Sequence, residues 1–340
     1  MLGPLMLYNS PLVNPRRTTA TLAGFGSILL WSCSISFTRV LTENLGPFST
    51  GALAYLIAGA IGTAILLARP ASRAALRKGR LGPTLICGGL FIVYAVCLLS
   101  AIGLASGRKQ TLEVGVINYL WPAMTLVLSI PLLGSRPRSA LRVGILSVPS
   151  GAILAVGILL ALSGAVLAVA AKESLTWAGF LANLHANAWP YLLSLVNAVT
   201  WAFYSNLTRR WVGQVPGGIV AILMLLCGLL MGGLALGSGE HPRWTAPTAA
   251  FLIAQALGPY LVAYFFWETA MRKGNVTVVA SAAYLTPVLS LIVSCFVLGK
   301  DLADARLWLG SALVVVGAVL CRLTIRERAE TPLPLRERAG

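Results

Sequence analysis

The sequence predicts an all-α integral membrane protein with ten transmembrane helices in two inverted five-helix repeats. Three observations support this fold class. Hydrophobic residues make up 57% of the 340 residues and charged residues only 11%, whereas a soluble domain carries about 25% charged residues. The chain divides into apolar runs of about 20 residues, the length that crosses a bilayer. Related residues also recur at constant offsets between its two halves.

The composition excludes several classes of protein. With a mean hydropathy of +0.83, too few charged side chains remain to cover the surface of a soluble enzyme or a DNA-binding module. The net charge of +16 does not indicate nucleic acid, because the basic residues lie in loops between apolar segments. An outer-membrane barrel would alternate apolar and polar residues along its strands. We therefore expect the protein to lie in a lipid bilayer and to have no nucleic-acid partner.

Apolar runs bounded by charged or turn residues define the ten spans. The predicted spans cover residues 19–40, 48–68, 81–105, 111–134, 141–163, 189–208, 215–237, 249–271, 276–298 and 304–324. The resulting divisions are an N-terminal cytoplasmic segment (1–18), a first repeat (19–163), an external connection (164–188), a second repeat (189–325) and a disordered cytoplasmic tail (326–340). Within the external connection, apolar residues at helical spacing predict a short helix in the outer interface. These residues are Trp177, Phe180, Leu181 and Leu184.

The Lys and Arg residues predict the orientation. When successive spans cross in alternate directions, 19 of the 26 Lys and Arg residues lie on the side of both termini. Cytoplasmic loops of membrane proteins carry the excess of positive charge. We therefore predict a multi-pass protein of a bacterial-type inner membrane, with cytoplasmic N and C termini.

Two constant offsets indicate an internal duplication. At an offset of 170 residues, the coinciding pairs are Trp31 and Trp201, Thr38 and Thr208, and Arg39 and Arg209. At an offset of 165 residues, the coinciding pairs are Tyr119 and Tyr284, Leu120 and Leu285, Pro122 and Pro287, Leu126 and Leu291, Ser129 and Ser294, Leu133 and Leu298, and Gly134 and Gly299. Because five is odd, the second copy enters the membrane from the opposite side. Such inverted repeats are typical of transporters that alternate access to a midplane site, although a duplicated scaffold could also serve a channel or a structural role.

Several motifs together resemble a known family. They are Leu30-Trp31, Arg39, Glu43, Leu45-Gly46-Pro47, EVGVINYLWP at 113–122, GNVT at 274–277 and YLTPVLS at 284–290. Over residues 19–325 the chain resembles the YddG-type aromatic amino-acid exporters, built from paired EamA repeats in the drug/metabolite transporter superfamily. The resemblance implies a ten-helix inner-membrane exporter with a cavity between the repeats. Glu268 departs from the pattern, in which a neutral residue would follow Trp267.

Ionisable residues inside the membrane are candidates for function, because burying a charge in lipid is costly. Glu113 and Glu268 are the two carboxylates placed within the spans, and we take them as candidate proton or charge sites. Either could instead reach interfacial water, and Glu268 could pair with Arg272 one helical turn later. Because Val278 and Gly103 occupy their 165-offset positions, no shared proton site is marked. The sequence thus predicts facilitative transport along the substrate gradient.

A midplane with so little charge favours a cargo without net charge, such as a zwitterion, or an apolar cation. Aromatic faces hold apolar side chains, and cation–π attraction to an ammonium group contributes about 0.5 to 2 kcal/mol. The predicted substrate-binding residues are Trp31, Tyr94, Asn118, Tyr119, Trp121, Trp201, Tyr204, Tyr264, Trp267 and Tyr284. Aromatic residues at helical spacing also pack helices together, and for any single residue this explanation competes with substrate contact.

Two prolines mark predicted hinges beside these aromatic residues. Pro122 follows Tyr119 and Trp121, and Pro287 follows Tyr284 at the related position. A proline lacks the N–H group that would bond a carbonyl one turn earlier. Freed backbone groups at membrane depth persist only where protein or a wet cavity satisfies them. We therefore predict that the two prolines border the cavity.

These observations predict a monomeric exporter of aromatic or other neutral amino acids, with the amino acid as its small-molecule partner and no cofactor. Efflux of a cationic drug or metabolite within the same superfamily is the alternative. An intramembrane enzyme is a distant alternative, because His185 and His241 lie in external loops and no HExxH or GxSxG motif occurs. The six cysteines lie within apolar runs without metal-ligand spacing, so we expect no metal site.

Overall fold

The computed structural model describes residues 15–106, 108–118, 120–137, 140–143, 146–170, 177–286, 288–290, 292–293 and 305–326. The first half contains α1 (Pro15–Leu45), α2 (Pro47–Ala68), α3 (Pro70–Lys78), α4 (Leu81–Leu104), α5 (Arg108–Asn118), α6 (Trp121–Leu133) and α7 (Ser150–Ala170). The second half contains α8 (Trp177–Ala186), α9 (Trp189–Arg210), α10 (Val220–Ser238), α11 (Ala246–Gln255), a π-helical segment (Ala256–Val262), α12 (Ala263–Lys273), α13 (Val276–Ala282), a 3₁₀ turn (Ala283–Leu285) and α14 (Ala305–Thr324).

Four short strands accompany the helices in the described part of the chain. They are β1 (Arg136–Pro137), β2 (Ala140–Val143), β3 (Leu146–Pro149) and β4 (Ile325–Arg326). β1 pairs with β4 and β2 pairs with β3, both antiparallel. The β1–β4 pair joins the loop after α6 to the residues after α14, so these two connections lie at the same end of the bundle.

Five helices in the described residues are long and apolar enough to cross a membrane. They are α1, α2, α4, α10 and the continuous helix from α11 to α12. Shorter apolar helices occur at Trp121–Leu133, Ser150–Gly164, Val276–Ser290 and Trp308–Cys321. The all-α membrane class is therefore confirmed, while the count of ten spans stays a prediction.

The second long helices of the two repeats, α2 and α10, pack backbone to backbone. A Cβ atom at Gly59 would lie 2.5 Å from the Leu225 nitrogen, and one at Gly228 would lie 2.8 Å from the Leu56 nitrogen. Residue numbers rise along α2 as they fall along α10, so the two helices are antiparallel. Small residues permit this close approach, as they do in membrane helix pairs generally.

The last helices of the two halves, α7 and α14, repeat this arrangement. A Cβ atom at Gly157 would lie 2.9 Å from the Gly317 carbonyl oxygen, and one at Gly164 would lie 2.5 Å from the Gly310 carbonyl oxygen. This pair is antiparallel as well. Two inverted repeats require equivalent helices to pair antiparallel. Correspondingly, the first long helix of each repeat packs on the third long helix of the other: α1 on α12 and α9 on α4.

Two elements differ from the sequence-based prediction, and a third agrees with it. The predicted fifth span, 141–163, begins too early: β2 (Ala140–Val143) and β3 (Leu146–Pro149) precede α7, which begins at Ser150 and extends to Ala170. The basic connection after α2, predicted as a loop, contains the amphipathic helix α3. A helix, α8, occupies the external connection as its spacing predicts, and its Phe180 and Leu184 pack against Tyr191. Its apolar face thus covers the end of the bundle.

Candidate functional site

Four aromatic residues meet where α1, α4, α9 and α12 cross. The ring centroids of Trp31 and Trp201 lie 5.6 Å apart, and the Tyr94 and Tyr264 hydroxyl oxygens lie 2.8 Å apart. Trp31 also contacts Tyr264 at 5.5 Å, as Trp201 contacts Tyr94 at 4.5 Å. Trp31 and Trp201 stand 170 residues apart in the sequence, and so do Tyr94 and Tyr264. The four rings therefore surround the local two-fold axis that relates the repeats, and we call them the aromatic centre.

Two further tryptophans break the symmetry of this arrangement. Trp267 lies 5.2 Å from Trp31 and 5.9 Å from Trp201, and Trp121 lies 5.3 Å from Trp267. At the offset of 170 residues, Trp267 corresponds to Cys97. Trp121, Trp201 and Trp267 are all buried, whereas Trp31 is half-buried. A large ring therefore fills the site at Trp267, whereas the related position in the first repeat carries the small side chain of Cys97.

Hydrogen bonds fix two of the indole rings. The Trp31 indole N–H donates to the Pro259 carbonyl oxygen over 3.0 Å, and the Trp267 indole N–H donates to the Ser205 hydroxyl over 3.1 Å. Pro259 lies inside the π-helical segment, and such segments occur frequently at functional sites. The bond from Trp31 thus ties α1 of the first repeat to an irregular turn in the second.

Three more aromatic residues extend the centre, and sequence analysis missed them. The rings of Tyr55 and Tyr260 stack with centroids 4.3 Å apart, and the Tyr55 and Tyr264 hydroxyl oxygens lie 3.2 Å apart. Phe91 packs on the predicted Tyr204 at 5.4 Å. Helical spacing offered a partial signal, because Tyr260 precedes Tyr264 and Phe91 precedes Tyr94 by one turn. No sequence signal marked Tyr55, whose position depends on the packing of α2.

Two asparagines on α9 flank Trp201 and were also missed. The Asn197 amide donates to the Tyr94 carbonyl oxygen over 2.9 Å, and the Asn206 amide donates to the Thr125 carbonyl oxygen over 3.0 Å. Both Oδ1 atoms are buried without a hydrogen-bond partner. A buried acceptor left unpaired is costly. These two oxygens are therefore suited to accept hydrogen bonds from a ligand.

Four predicted site residues lie elsewhere or outside the described residues. Tyr284 packs with Leu126 of α6 and with residues of α7 and α14, in a cluster separate from the aromatic centre. Asn118 is half-buried at the end of α5. Tyr119 and Pro287 lie outside the described residues.

Pro122 is the second residue of α6, directly after the break between α5 and α6. Proline is well tolerated at a helix start, where its missing N–H removes no bond within the helix. The turn residue Leu120 thus interrupts the predicted fourth span, next to Trp121. The predicted hinge role of Pro122 stays a prediction.

The two candidate carboxylates both lie away from the aromatic centre. Glu113 accepts hydrogen bonds from the Tyr191 hydroxyl and from the Asn183 amide, at 3.1 and 3.3 Å from its two oxygens. Glu268 pairs with Arg272 at 2.8 Å, which confirms the predicted helical pair. Within the described residues, no group of three His, Cys, Asp or Glu side chains could hold a metal ion.

Comparisons with known proteins give the family. The model of the EamA-like transporter family matches residues 18–157 and 188–323. The aromatic amino acid exporter YddG of Salmonella typhimurium is 30% identical over 91% of this chain and 98% of its own length. The YddG exporter of Ancylobacter novellus is 31% identical over 91% of this chain and 99% of its own. An uncharacterized inner membrane transporter of Escherichia coli, YedA, is 25% identical over 88% of this chain and 89% of its own.

A solved crystal structure supports the same relationship. It superimposes with a TM-score of 0.71 at 30% sequence identity, covering 90% of this chain and 98% of the other. The family match covers both halves of the chain, as the offsets between Trp31 and Trp201 and between Tyr94 and Tyr264 lead one to expect. The chain belongs to the EamA-like transporter family.

Proposed function

We propose that this protein exports aromatic and other neutral amino acids across a bacterial inner membrane by alternating access between its two repeats. The observation that carries the proposal is the aromatic centre, which lies on the local two-fold axis. Inverted-repeat transporters bind their cargo at the interface between the repeats. The YddG relatives, which align over 91% of this chain, are aromatic amino acid exporters, and this likeness supports an amino acid as cargo.

The chemistry of the centre suits an amino acid with an apolar or aromatic side chain. Trp31 meets Trp121, Trp201 and Tyr264 edge to face, the geometry that aromatic pairs prefer. A substrate ring can replace such contacts with contacts of the same kind. The buried oxygens of Asn197 and Asn206 offer acceptors for the substrate ammonium group.

The packing of the rings indicates how access is controlled. The rings contact one another, and Trp201 and Trp267 are only 2% and 1% exposed, so a substrate can enter only when the rings separate. Because the repeats are antiparallel, a separation toward one side of the membrane has an equivalent toward the other side. Exchange of the two arrangements between repeats then gives alternating access.

A cationic drug or metabolite is the alternative cargo. It would call for a carboxylate beside the rings, and neither Glu113 nor Glu268 belongs to the aromatic centre. Glu268 is already neutralised by Arg272. Both observations favour the zwitterion, as does the scarcity of charge in the apolar helices. The proposed orientation places both termini in the cytoplasm, on the side of the basic connections.

The test is transport by purified protein in proteoliposomes. The panel contains phenylalanine, tryptophan, leucine and lysine, each radiolabelled. Saturable counterflow of the neutral amino acids, absent for lysine, is the expected result. Transport of lysine or of an aromatic cation in preference to phenylalanine would support the alternative cargo, and no saturable transport of any amino acid would refute the proposal.

A further inference from the structure

Each repeat contains one short joint between its first and second helix. The first joint, residues 44–49, leads from α1 into α2, and the second joint, residues 211–219, leads from α9 into α10. At an offset of 170 residues the two joints coincide, and the antiparallel repeats place them at opposite ends of the bundle. Any contact shared by both joints is therefore a contact that the local symmetry has preserved.

The same backbone hydrogen bond joins each joint to the other repeat. The Arg243 amide, in the connection after α10, donates to the Asn44 carbonyl over 2.8 Å. The Arg80 amide, in the connection after α2 and α3, donates to the Gln214 carbonyl over 2.8 Å. Asn44 and Gln214 stand at the 170-residue offset. The two bonds are thus equivalents, one at each end of the protein.

A carboxylate caps the first joint from the other repeat. The Glu240 oxygens accept from the Phe48 amide over 2.9 Å and from the Ser49 amide over 2.7 Å. These amides belong to the first turn of α2, where N–H groups lack helical partners and a negative charge is stabilising. Gly46 permits this contact, since its φ is +86° and a Cβ atom there would lie 2.6 Å from a Glu240 oxygen.

A second carboxylate caps the second joint, but it comes from within the same repeat. Both oxygens of Glu268 accept from the Gly218 amide, over 3.1 and 3.2 Å, and Gly218 corresponds to Phe48 at the 170-residue offset. Arg272 binds Glu268 and also donates to two carbonyl oxygens of the joint, over 2.9 and 3.1 Å. The connection after α2, which would supply the symmetric cap, carries basic residues. The acid has therefore moved to α12.

The two joints and the helices between them form a closed frame. α2 begins at the first joint and reaches the second, where a Cβ atom at Gly218 would lie 2.7 Å from the Leu66 side chain. α10 begins at the second joint and ends at Ser238, two residues before Glu240. Between the ends, α2 and α10 touch backbone to backbone at Gly59 and Gly228. Opening either joint would require α10 to slide along α2.

We propose that this frame stays closed at both ends throughout transport, and that Glu240 and Glu268 are positioning residues for the cycle. They fix the points from which α1 and α9 carry Trp31 and Trp201. The inference rests on the proposed function. Gates at opposite ends of a transporter open alternately, whereas the two joints are both closed here and are coupled through one tightly packed helix pair.

Disulfide crosslinks test the frame directly. One variant carries Asn44→Cys and Arg243→Cys, and the other carries Arg80→Cys and Gln214→Cys, each in a background without the six native cysteines. The backbone hydrogen bonds of 2.8 Å bring the Cα atoms of each pair within the roughly 7 Å that a disulfide can span. Each purified variant is assayed in proteoliposomes with phenylalanine, oxidised and reduced. Absence of transport by the reduced variants and by their parent refutes the proposed function rather than the frame.

If the reduced variants transport, we expect oxidation to cause no loss of rate at either joint. Loss of transport on oxidation, regained on reduction, would show that the joint opens during the cycle and would overturn the inference. Mass spectrometry of the oxidised protein establishes that each disulfide has formed.

Rescue by the same crosslinks tests the two carboxylates. Glu240→Gln leaves one acceptor for two amides, and we expect a fall in rate of about tenfold, equivalent to about 1.4 kcal/mol. The disulfide at the first joint should restore the rate of Glu240→Gln but not that of Glu268→Gln, and the disulfide at the second joint should do the reverse. Glu43→Gln, which removes an exposed carboxylate near the first joint, is the matched control and should leave the rate unchanged.

Three outcomes would contradict the positioning role. They are an unchanged rate in both glutamine variants, no rescue by either disulfide, and rescue that does not depend on which joint is linked. Where a glutamine variant does not fold, the aspartate variant replaces it, since it keeps the charge but is one methylene too short to reach both amides. The expected rescue is the same.

Discussion

The aromatic centre and the glycine contacts between paired antiparallel helices are built on the same two-fold axis from opposite kinds of residue. At the centre, large rings meet edge to face and their side chains determine the distance between helices. At the contacts of α2 with α10 and of α7 with α14, glycines bring backbones together and leave no side chain that could adjust. Rings can rotate and separate around a cargo, whereas backbones in contact leave no side chain that could accommodate a change in the distance between helices. The difference indicates which helices move during transport and which do not.

The largest expected effect comes from disturbing a backbone contact. Gly59→Val adds atoms where a Cβ alone would lie 2.5 Å from the Leu225 nitrogen, and overpacking costs about 3 kcal/mol in a tight site. We expect loss of monodisperse protein in size-exclusion chromatography and a lower melting temperature. Gly233→Val is the control, because no atom lies within 4 Å of a Cβ there. Equal behaviour of the two variants would mean that the contact is not tight.

A substitution of a ring that contacts the aromatic centre should affect transport rather than folding. Trp121→Ala removes ring contacts with Trp31, Trp201 and Trp267, and we expect the transport rate to fall about tenfold, which corresponds to about 1.4 kcal/mol. Thermal stability of the purified protein should stay nearly unchanged. Trp189→Ala, at a tryptophan that is 65% exposed, should leave transport intact.

The packing explanation predicts a different result for the same variant. Truncation of an aromatic residue in a rigid core costs about 3 to 5 kcal/mol of folding free energy. If the amount of folded Trp121→Ala protein falls in proportion to transport, Trp121 acts in packing, and the contrast between movable rings and rigid helix contacts does not hold.

A smaller effect is expected from single hydroxyl groups. Tyr94→Phe keeps the ring but removes the bond to the Tyr264 hydroxyl, and a hydrogen bond contributes about 1 kcal/mol. We expect the substrate concentration for half-maximal transport to rise about fivefold, and more in Tyr264→Phe, which also loses the bond to Tyr55. Tyr284→Phe is the matched control, since its hydroxyl is buried without a partner. If the substrate concentration for half-maximal transport rises as much in Tyr284→Phe as in Tyr94→Phe, then Tyr284 also contributes to substrate binding and the site extends beyond the aromatic centre.

The smallest effect is expected at Glu113, which lies outside both regions. Its neutral partners Tyr191 and Asn183 tie α5 to α9 and α8. Glu113→Gln keeps the size of the side chain, so we expect no change in the rate of facilitative transport at equal pH on both sides. If the wild type concentrates phenylalanine under an imposed proton gradient and Glu113→Gln abolishes only that activity, then transport is proton-coupled and Glu113 carries the proton.

Sequence reasoning reached the parts of the site that depend on duplication. The offset between Trp31 and Trp201 places both residues at equivalent depths, and inversion brings equivalent positions to the axis. It could not reach Tyr55 or the unpaired oxygen of Asn197, because both depend on how each helix is rotated about its own axis. Tyr284 was assigned to the cavity for its place in the repeat, yet its helix turns that side chain toward α7 and α14.

The predicted start of the fifth span is wrong because an apolar segment need not be a helix. Residues 141–149 are apolar enough to suggest the start of a span, but in the structure β2 and β3 pair as antiparallel strands here. Pro149 ends the hairpin, and α7 starts at Ser150. The hydropathy of a segment indicates whether its surroundings are apolar. Whether its backbone forms a helix or a strand pair depends also on neighbouring segments, which hydropathy does not take into account.

The pairing of Trp267 with Cys97 at related positions has a thermodynamic consequence. If the repeats were identical, the states open to the two sides would have equal free energies and equal resting populations. A large ring on one side and a thiol on the other remove that equality, and a difference of about 1.4 kcal/mol shifts the ratio of populations tenfold. We therefore expect the two resting populations to be unequal. Detailed balance then fixes the ratio of the two rate constants by which the empty protein changes orientation, while in facilitative transport the concentration gradient sets the direction of net flow.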